Sequence, residues 1–421
     1  MNTYKGPRLR TLEAFRIPNF RPFWSSGTTS YVNRWMEITV TAWLVLELTG
    51  SPFQVALIGF YKWFPMLILG PLTGSISDRF DRKRLLMTTV FVNCLTSAVI
   101  ATLMLRHEIQ VWHLAVGTLL VGTMWSFDYP ARRPLLMDMV GKSRLANAIA
   151  LDSGSLTGSK MLGPFVAGLL IDKAGPGWVF VLISILYGVG FILLAMVKVA
   201  PEKRSVVREP ILKNMSEGIK YAMKDPAISR VLLITVAMNL MLFPYAQFVP
   251  LFAKEVLHVG PTLMGLLLSA DGAGAFIGAI VVASITVPKR HYGRIIMAGS
   301  VGSLLLLLLF SLSSVYHISF MMLLLMGMSL SGFGTMQSLI ILVSSSEEMR
   351  GRGMGLLGLA IGVSPFGILF MGYLADKLGG PAAVTISSSI GLVFMIAIAV
   401  FSPQFWRPRR IEEETKPRGT L

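Results

Sequence analysis

The sequence predicts an all-α integral membrane protein with twelve transmembrane helices in two six-helix bundles related by pseudo-twofold symmetry. Apolar residues make up 53% of the 421 residues and charged residues only 14%, which is far from a soluble globular composition. Runs of about 20 apolar residues follow one another, and that length lets a helix cross roughly 30 Å of hydrocarbon. The stretch Gly168–Gly175 (GLLIDKAG) recurs in the second half as Gly372–Gly379 (GYLADKLG), which indicates an internal repeat.

Short polar connections separate the apolar stretches, and one longer hydrophilic segment divides the first six from the last six. The predicted spans are approximately residues 23–48, 53–77, 85–105, 111–130, 145–171, 178–198, 229–252, 262–287, 293–313, 317–345, 351–375 and 381–402. The predicted domains follow from this division. They are a cytoplasmic N-terminal segment (1–22), an N-terminal bundle (23–198), a cytoplasmic linker (199–228), a C-terminal bundle (229–402) and a cytoplasmic tail (403–421). In the linker, Met215, Ile219, Ala222 and Met223 have the spacing of a short amphipathic helix at the membrane surface.

Lysine and arginine crowd on one side of the predicted spans. The chain contains 38 of them against 22 acidic residues, and most lie in the termini or in connections on the same side as the termini. The positive-inside rule therefore predicts a multi-pass protein of the cell membrane with both termini in the cytoplasm. Proximity to anionic lipid explains the net charge of +16, so no nucleic-acid partner is expected. No cleavable signal peptide is expected, and the single cysteine excludes an internal disulfide.

Residues 74–85 (GSISDRFDRKRL) form a short basic connection between the second and third spans. Such charges cannot lie in hydrocarbon, because each would cost roughly 2.5–3.5 kcal/mol on insertion scales. The pattern resembles the signature loop between helices 2 and 3 of the major facilitator superfamily, with Ser77 in place of alanine and Asp81 in place of glycine. Within that superfamily, the chain looks most like the bacterial exporters of siderophores and macrolides. The resemblance implies a transporter that works by alternating access.

The resemblance also implies a gate on the cytoplasmic side. In the superfamily, the aspartate equivalent to Asp78 meets the start of helix 11, where a helix N-terminus and basic side chains attract a carboxylate. The connection between helices 4 and 5 resembles that of the siderophore exporters and carries two further gating candidates. The predicted gate residues are Asp78, Arg79, Arg82, Asp128, Arg132, Arg350 and Arg352. The alternative is a cationic loop that only sets the orientation of the protein.

Helix 5 carries small residues and a proline that resemble the Gly-Pro signature of exporters in the superfamily. They are Gly154, Gly158, Gly163, Pro164 and Gly168. Small residues let helices approach closely, and a proline bends the span. The motif therefore predicts close helix packing, either of a kind specific to exporters or of the general kind found in membrane proteins.

Ionisable residues inside the spans are the candidates for proton coupling. Arg34 and Glu37 lie three residues apart on one face of helix 1, about half-way across it, and are expected to form a buried ion pair. Glu37 is predicted to bind and release the proton under the influence of Arg34; the alternative is a permanent structural pair. The other coupling candidates are Asp152 and Lys160, the latter near mid-membrane where relatives usually have arginine.

The remaining polar residues of the spans are predicted to line the substrate cavity. Lys62 would attract an anionic substrate or, alternatively, extend its side chain to the membrane surface. The other cavity candidates are Asn33, Tyr61, Asn239, Tyr245, Gln247, Asp271 and Gln337. Because most charged residues within spans belong to the N-terminal half, coupling is predicted to reside there, opposite a mainly apolar and amide surface on the C-terminal bundle.

No stretch of the sequence is typical of a catalytic or nucleotide-binding site. The phosphate-binding pattern Gly-x4-Gly-Lys-Ser/Thr is absent, and the histidines lack the spacing of metal ligands. We therefore predict no enzyme, cofactor or metal, but a monomeric proton-coupled exporter of amphipathic small molecules such as a drug, a siderophore or a secreted metabolite. The alternative is a lysophospholipid or other lipid transporter of the same fold, which a lateral opening between helices 5 and 8 or 2 and 11 would favour. An integral-membrane enzyme or a channel is disfavoured, because the polar residues neither cluster at one membrane face nor form a continuous stripe.

Overall fold

The computed structural model describes residues 12–77, 81–198, 220–285, 287–346 and 349–406, and the regular elements in these ranges are all helices. The predicted all-α fold class is thereby confirmed. Asp78 and Arg79 lie outside the described residues, and the predicted N-terminal segment, the linker with its amphipathic helix and the C-terminal tail lie partly outside them.

The two halves of the chain each contribute a series of long helices. Those of the N-terminal half are Phe20–Thr49 (α1), Pro52–Ser77 (α2), Arg82–Leu105 (α3), Val111–Ala174 (α4) and Pro176–Met196 (α5). Those of the C-terminal half are Pro226–Met241 (α6), Val249–Glu255 (α7), Pro261–Ser284 (α8), Tyr292–Ser311 (α9), Tyr316–Ser344 (α10), Arg350–Gly362 (α11), Ser364–Leu378 (α12), Gly380–Phe401 (α13) and Pro403–Trp406 (α14). Short 3-10 turns lie at Glu13–Arg16, Phe243–Gln247 and Lys289–His291.

Nine segments of the described chain are long and apolar enough to cross a membrane. Helix α1 and the two parts of α4 are not among the nine, and these are the helices that carry most of the buried charged side chains. Their polarity is typical of helices that face the interior of a transporter, where ionisable groups find partners. The count of twelve spans stays a prediction.

Helix α4 runs through the region in which the sequence predicted two spans joined by a connection. The helix continues beyond the predicted span end at residue 130, because the chain stays helical past Pro130 and Pro134. A proline removes one backbone hydrogen bond and bends a helix, but packing on both sides can hold the chain helical. The non-helical backbone inside α4 lies at Gly141, whose φ of 69° favours glycine. We call residues 111–140 the first limb of α4 and residues 142–174 the second limb.

Two predicted spans of the C-terminal half are interrupted in the structure. Span 229–252 is divided into α6, a 3-10 turn and α7, and span 351–375 is divided into α11 and α12 at Val363. Pro244 and Pro250 explain the first interruption, because each lacks the N–H that a continuous α-helix needs. Interrupted helices are common where transporters bind their ligands.

The internal repeat appears in the backbone as two nearly identical turns. Gly175 has φ and ψ of 91° and 161°, and Gly379 has 85° and 160°. Each turn follows an aspartate that binds a residue at the start of a helix in the other half. Asp172 accepts a hydrogen bond from Thr262 at 3.0 Å, and Asp376 accepts one from Ser51 at 3.2 Å. The repeated aspartates thus make equivalent contacts between the halves.

The molecule has two distinct ends. The basic face contains the starts of α3 and α11 and the turn Lys289–His291, and the turn face contains the glycine turns at Gly50, Gly175 and Gly379. Two seams join the halves: the second limb of α4 packs on α8, and α2 packs on α11 and α12.

Small residues allow a close approach at both seams on the side of the turn face. A side chain on Gly168 would collide with the Pro261 carbonyl of α8, and one on Gly372 would collide with Ala56 of α2. Both seams are therefore closed in the half next to the turn face. These are the seams at which a lipid transporter would need a lateral opening.

Candidate transport and coupling site

One face of α1 carries a column of residues that faces the interior of the N-terminal bundle. Gly27, Tyr31, Arg34 and Glu37 follow one another at intervals of three or four residues, so they share a helix face. At 1.5 Å of rise per residue, the column extends over about 15 Å. Tyr31, Arg34 and Glu37 are all buried. The column therefore places two opposite charges within the membrane-spanning part of the bundle.

The end of the column nearest the basic face contacts a buried ion pair. Arg132 binds both carboxylate oxygens of Asp128, from Nε and Nη2, at 2.8 Å each, and only 2% of the arginine is exposed. Tyr31 donates a hydrogen bond to Asp152 at 3.1 Å, and its ring lies 5.7 Å from the Arg132 guanidinium. A side chain on Gly27 would come within 2.9 Å of Arg132. Two predicted gate residues and one coupling candidate thus form one cluster between α1 and the two limbs of α4.

The middle of the column holds Arg34, whose guanidinium stacks on two indole rings. Its Cζ lies 3.7 Å from the ring centroid of Trp125 on α4 and 4.7 Å from that of Trp63 on α2. A planar guanidinium is well suited to such cation–π stacking. Trp125 and Tyr31 are not among the predicted site residues, because aromatic residues in membrane helices give no sequence signal that distinguishes such a role from packing.

Glu37 makes its ion pair with a different residue from the one predicted. Its carboxylate lies 3.3 Å from the ammonium of Lys62 on α2, and the two side chains are only 5% and 4% exposed. The predicted Arg34–Glu37 pair is wrong in this respect, although Arg34 remains within electrostatic range of Glu37. The physical reason is that the aromatic rings hold the guanidinium, whereas α2 brings a compact ammonium directly to the carboxylate. Lys62 is accordingly a buried residue of the bundle that pairs with Glu37, and its predicted place in the cavity stays a prediction.

A second buried ion pair joins the two halves of the protein. The Lys160 ammonium on the second limb of α4 lies 2.5 Å from Oδ2 of Asp271 on α8, and Tyr245 donates a hydrogen bond to the same oxygen at 2.5 Å. Asp271 is only 1% exposed and Lys160 is 18% exposed. Tyr245 reaches Asp271 from the 3-10 turn that interrupts the predicted seventh span.

This contact brings the mid-span charge predicted for the C-terminal half against the N-terminal bundle, and the location of proton coupling in the N-terminal bundle stays a prediction. Asp271 was predicted as a cavity residue and Lys160 as a coupling residue of one bundle. In the structure both belong to the seam between α4 and α8, where each neutralises the other.

Other predicted cavity residues take part in packing. The Asn33 amide donates to the carbonyl of Ile183 at 3.1 Å, and the Asn239 amide donates to the carbonyl of Thr235 in its own helix at 2.9 Å. Both asparagines are buried and hold helices in place, and their predicted cavity role stays a prediction.

Three more cavity candidates lie at contacts inside the protein. Thr235 donates to the side-chain oxygen of Gln337 at 3.3 Å, which joins α6 to α10. Gln247 packs beside Gly59 at the α2 seam, and Tyr61 packs with its ring edge against Phe60. The cavity role of Gln337, Gln247 and Tyr61 stays a prediction.

The glycines of the motif on the second limb of α4 fall into two groups, which differ in whether a neighbouring helix packs against them. A side chain on Gly163 would lie 2.6 Å from Cβ of Trp35 on α1, and Gly168 and the Pro164 carbonyl contact α8. At Gly154 and Gly158, by contrast, no described atom lies within 4 Å of the position that a Cβ would occupy. Close packing is therefore not seen at Gly154 and Gly158, because the face of α4 that carries them has no described neighbour, although the adjacent residues Asp152 and Ser159 are buried.

The described gate residues at the basic face lie at partly exposed positions. Arg82 binds Asp138 at 3.2 Å, and the Arg350 side chain donates to the Leu342 carbonyl at 3.2 Å. Arg352 contacts the sulfur of Met349 at 3.5 Å. Since Asp78 lies outside the described residues, its contact with the start of α11 stays a prediction.

Comparisons with known proteins identify relatives over nearly the whole chain. The sequence profile of the transmembrane secretion effector family matches residues 10–417. The multidrug efflux pump Tap of Mycolicibacterium fortuitum is 23% identical, with 99% of this chain and 100% of that protein covered. The staphyloferrin A transporter of Staphylococcus aureus is 22% identical, with 85% and 89% covered. Macrolide efflux protein A of Streptococcus pyogenes is 18% identical, with 93% and 97% covered.

Solved structures share the fold of the chain. The nucleoside transporter NupG superposes with a TM-score of 0.71 at 10% identity, covering 91% of this chain and 99% of that one. A bacterial homologue of the human lysosomal transporter Spinster, solved in an inward-facing and unoccupied conformation, superposes with a TM-score of 0.63 at 15% identity, covering 93% and 95%. At these identities the likeness shows the fold alone.

Proposed function

The chain belongs to the transmembrane secretion effector family of the major facilitator superfamily, and from this premise we propose that it exports small amphipathic molecules in exchange for protons. The names of two relatives support export, since one is a multidrug efflux pump and another a macrolide efflux protein, and a third relative is a staphyloferrin A transporter.

The orientation that we propose follows from the distribution of charge. The basic face lies in the cytoplasm, as the positive-inside rule requires, and the turn face lies outside. The closed seams then seal the outer half of the protein, which is the arrangement that a transporter adopts when its cavity is open to the cytoplasm. Export requires the reverse arrangement as well, in which Asp78, Arg79 and the arginines at the start of α11 close the cytoplasmic side.

One observation carries the proposal of proton coupling: Glu37 and Lys62 form a buried ion pair on different helices of one bundle, 3.3 Å apart. Carboxylates inside membrane proteins are costly and commonly serve in proton transfer. A proton on Glu37 removes the attraction to Lys62 and adds one positive charge to the site, and loss of that proton restores the pair. Arg34 lies within electrostatic range of this pair and adds a positive charge to the surroundings of a bound proton or substrate.

Proton entry would supply the free energy for export. A membrane potential of 100 mV contributes about 2.3 kcal/mol for each charge that crosses, which supports roughly a fifty-fold concentration gradient of substrate. For exchange, the protein must carry either the proton or the substrate in each crossing, so binding of one must release the other.

The test is proton release from the purified protein in detergent on addition of candidate substrates. We expect release from the wild type and none from the Glu37→Gln variant, which keeps the shape of the side chain. The matched control is Glu47→Gln, because Glu47 is an exposed acid on the same helix and its loss should leave proton release unchanged. Substrate binding without proton release from the wild type would contradict proton coupling, and release that persists in Glu37→Gln would move the coupling site elsewhere.

A further inference from the structure

We propose that the indole rings of Trp63 and Trp125 form the subsite for a planar aromatic group of the exported molecule, and that Arg34 occupies this subsite while the substrate is absent. This inference rests on the proposed exchange of substrate for protons at Glu37. It adds the chemical class of the substrate and the means by which substrate binding expels the proton.

Arg34 is held in an unusual way for a buried arginine. Only 6% of it is exposed, and its guanidinium lies over the rings of Trp125 and Trp63, with Cζ 3.7 Å and 4.7 Å from their centroids. In the part of the chain that the structure describes, no hydrogen bond or ion pair joins its nitrogens to the protein. The Arg132 guanidinium, by contrast, binds both carboxylate oxygens of Asp128. Stacking therefore takes the place of an ion pair at Arg34, and it is the easier of the two to exchange for another stacked group.

The two rings remain reachable for a ligand. Trp63 and Trp125 are both partly exposed, although the arginine that covers them is buried. They belong to α2 and α4, so a flat group that stacks on both contacts two helices of the N-terminal bundle. An aromatic ring and a guanidinium are both flat groups that stack on indole, so an aromatic group can take the place that Arg34 vacates.

Arg34 has a second partner within reach on its own helix. Glu37 lies three residues further along the same face of α1, and residues so spaced have Cβ atoms about 5–6 Å apart. Rotation of the Arg34 side chain away from the rings therefore brings the guanidinium to the Glu37 carboxylate without a movement of the backbone. Because Glu37 already pairs with Lys62, the arrival of Arg34 places two cations beside it.

Two cations beside Glu37 favour its ionised form. A protonated Glu37 then gives its proton to the cytoplasmic water, while Arg34 and Lys62 keep theirs, and the charge of the three side chains falls from plus two to plus one. When the substrate leaves on the outer side, Arg34 returns to the rings and Glu37 can bind a proton again. Substrate and proton therefore exclude each other, as exchange requires.

The charges of the site favour an aromatic group that is itself uncharged. Arg34 and Lys62 face a single acid, so a cationic group would add a third positive charge next to two. An anionic group would favour the protonated form of Glu37 and would leave the cell together with the proton, which is incompatible with exchange. An uncharged aromatic group avoids both effects, and the polar remainder of an amphipathic molecule can extend away from the rings.

The first test follows the proton on Glu37 by infrared difference spectroscopy of the purified protein in detergent. The band of the protonated carboxyl group is assigned by its loss in Glu37→Gln. In Trp125→Leu, Arg34 loses its nearer stacking partner and pairs with Glu37, so we expect the midpoint pH of proton uptake to fall by about one unit or more, which is a roughly tenfold lower proton affinity. Trp125→Phe keeps a flat ring and should stay close to the wild type. Trp178→Leu is the matched control, because Trp178 is exposed near the start of α5 and its loss should leave the midpoint unchanged.

A double-mutant cycle shows whether Trp125 acts through Arg34. In an Arg34→Gln background, Trp125→Leu should no longer shift the midpoint, because no guanidinium remains to move. Should Trp125→Leu prove unstable, Trp63→Leu provides the same test with a smaller shift, since Trp63 lies further from the guanidinium. A wild-type midpoint in the tryptophan-to-leucine variant, or a shift that persists without Arg34, overturns the inference.

The second test compares proton release by two uncharged probes of similar size. Naphthaleneethanol is planar and aromatic, and decahydronaphthaleneethanol is its saturated counterpart. We expect the aromatic probe to release protons from the wild type at a concentration roughly tenfold or more below that of the saturated probe, because only a flat π face replaces the guanidinium on the indoles. Arg34→Gln should bind the aromatic probe in calorimetry without releasing protons. Equal action of the two probes, or none by either, overturns the aromatic subsite.

The outcomes separate this inference from the proposed function. Proton release that requires Glu37, together with a wild-type midpoint in Trp125→Leu, overturns the aromatic subsite and leaves proton coupling intact. A wild-type protein in which Glu37 takes up no proton overturns both.

Discussion

The two buried acid–base pairs, Glu37–Lys62 and Lys160–Asp271, differ in where their partners reside. Glu37 and Lys62 belong to α1 and α2 of the N-terminal bundle, and their side chains are equally buried. Lys160 and Asp271 belong to different halves, and the lysine is much more exposed than the aspartate. The first pair keeps its geometry when the bundles move as rigid bodies, whereas the second must break.

A change in one of these ion pairs therefore has a different consequence from a change in the other. A proton on Glu37 changes the charge inside one bundle and so alters what that bundle can bind. Loss of the contact between Lys160 and Asp271 changes the force that holds the two bundles together and so alters which side of the protein can open. A transporter needs both effects, because ligand exchange and bundle movement have to depend on each other.

The largest effect is expected from Arg132→Ala, which tests whether the Asp128–Arg132 pair acts only within the N-terminal bundle. Arg132→Ala leaves Asp128 buried without its cation, so we expect a loss of about 3–5 kcal/mol in the free energy of unfolding. Thermal unfolding in detergent measures the loss, and the exposed neighbour Arg133→Ala should cost less than about 1 kcal/mol. If Arg132→Ala instead opened the outer seam without destabilising the protein, the cluster would act between the bundles.

A double-mutant cycle sharpens the comparison at Glu37. Lys62→Met leaves the Glu37 carboxylate unpaired and should cost about 3 kcal/mol. Addition of Glu37→Gln removes the uncompensated charge, so the double variant should regain most of that stability. It should not release protons, because Glu37 is replaced. Losses that simply add in the double variant would show that the two side chains do not stabilise each other.

The glycines of α4 distinguish the closed part of the seam from the open part. Gly168→Ala places a methyl group against the Pro261 carbonyl, so we expect a loss of about 1–3 kcal/mol and a wider outer seam. Gly154→Ala meets no described atom and should leave both quantities unchanged or slightly raise stability through its better helix propensity. Distances between spin labels on α4 and α8, together with thermal unfolding, measure both variants, and equal effects at the two positions would contradict the division of the motif.

The smallest effects are expected at the two repeated aspartates. Asp172→Ala and Asp376→Ala each remove a carboxylate from the start of a helix in the other half, at exposed or partly exposed positions. Such contacts contribute about 0.3–1 kcal/mol each, so both variants should slightly favour the open seam and by similar amounts. An effect at only one of them would show that the repeat preserves the shape of the turn but not its role.

Much of the fold follows from the sequence because a membrane leaves few options. Backbone groups in hydrocarbon must be satisfied within the segment, so long apolar stretches become helices, and the all-α fold and most helix positions could be predicted. The ends of helices were less predictable: Pro130 lies inside a helix, whereas Pro244 lies in an interruption. A proline weakens a helix at a known place, but the packing around it decides whether the helix continues.

The sequence by itself also marked candidate functional residues, because charges within apolar stretches are costly enough to be conspicuous. Arg34, Glu37, Lys160 and Asp271 could all be recognised in that way. Only the tertiary structure decided which of them are partners. Spacing along one helix places Arg34 and Glu37 on the same face, but the rotation and depth of the neighbouring helices bring Lys62 to Glu37 and Lys160 to Asp271. Those quantities depend on the packing of many side chains at once, so no local pattern contains them.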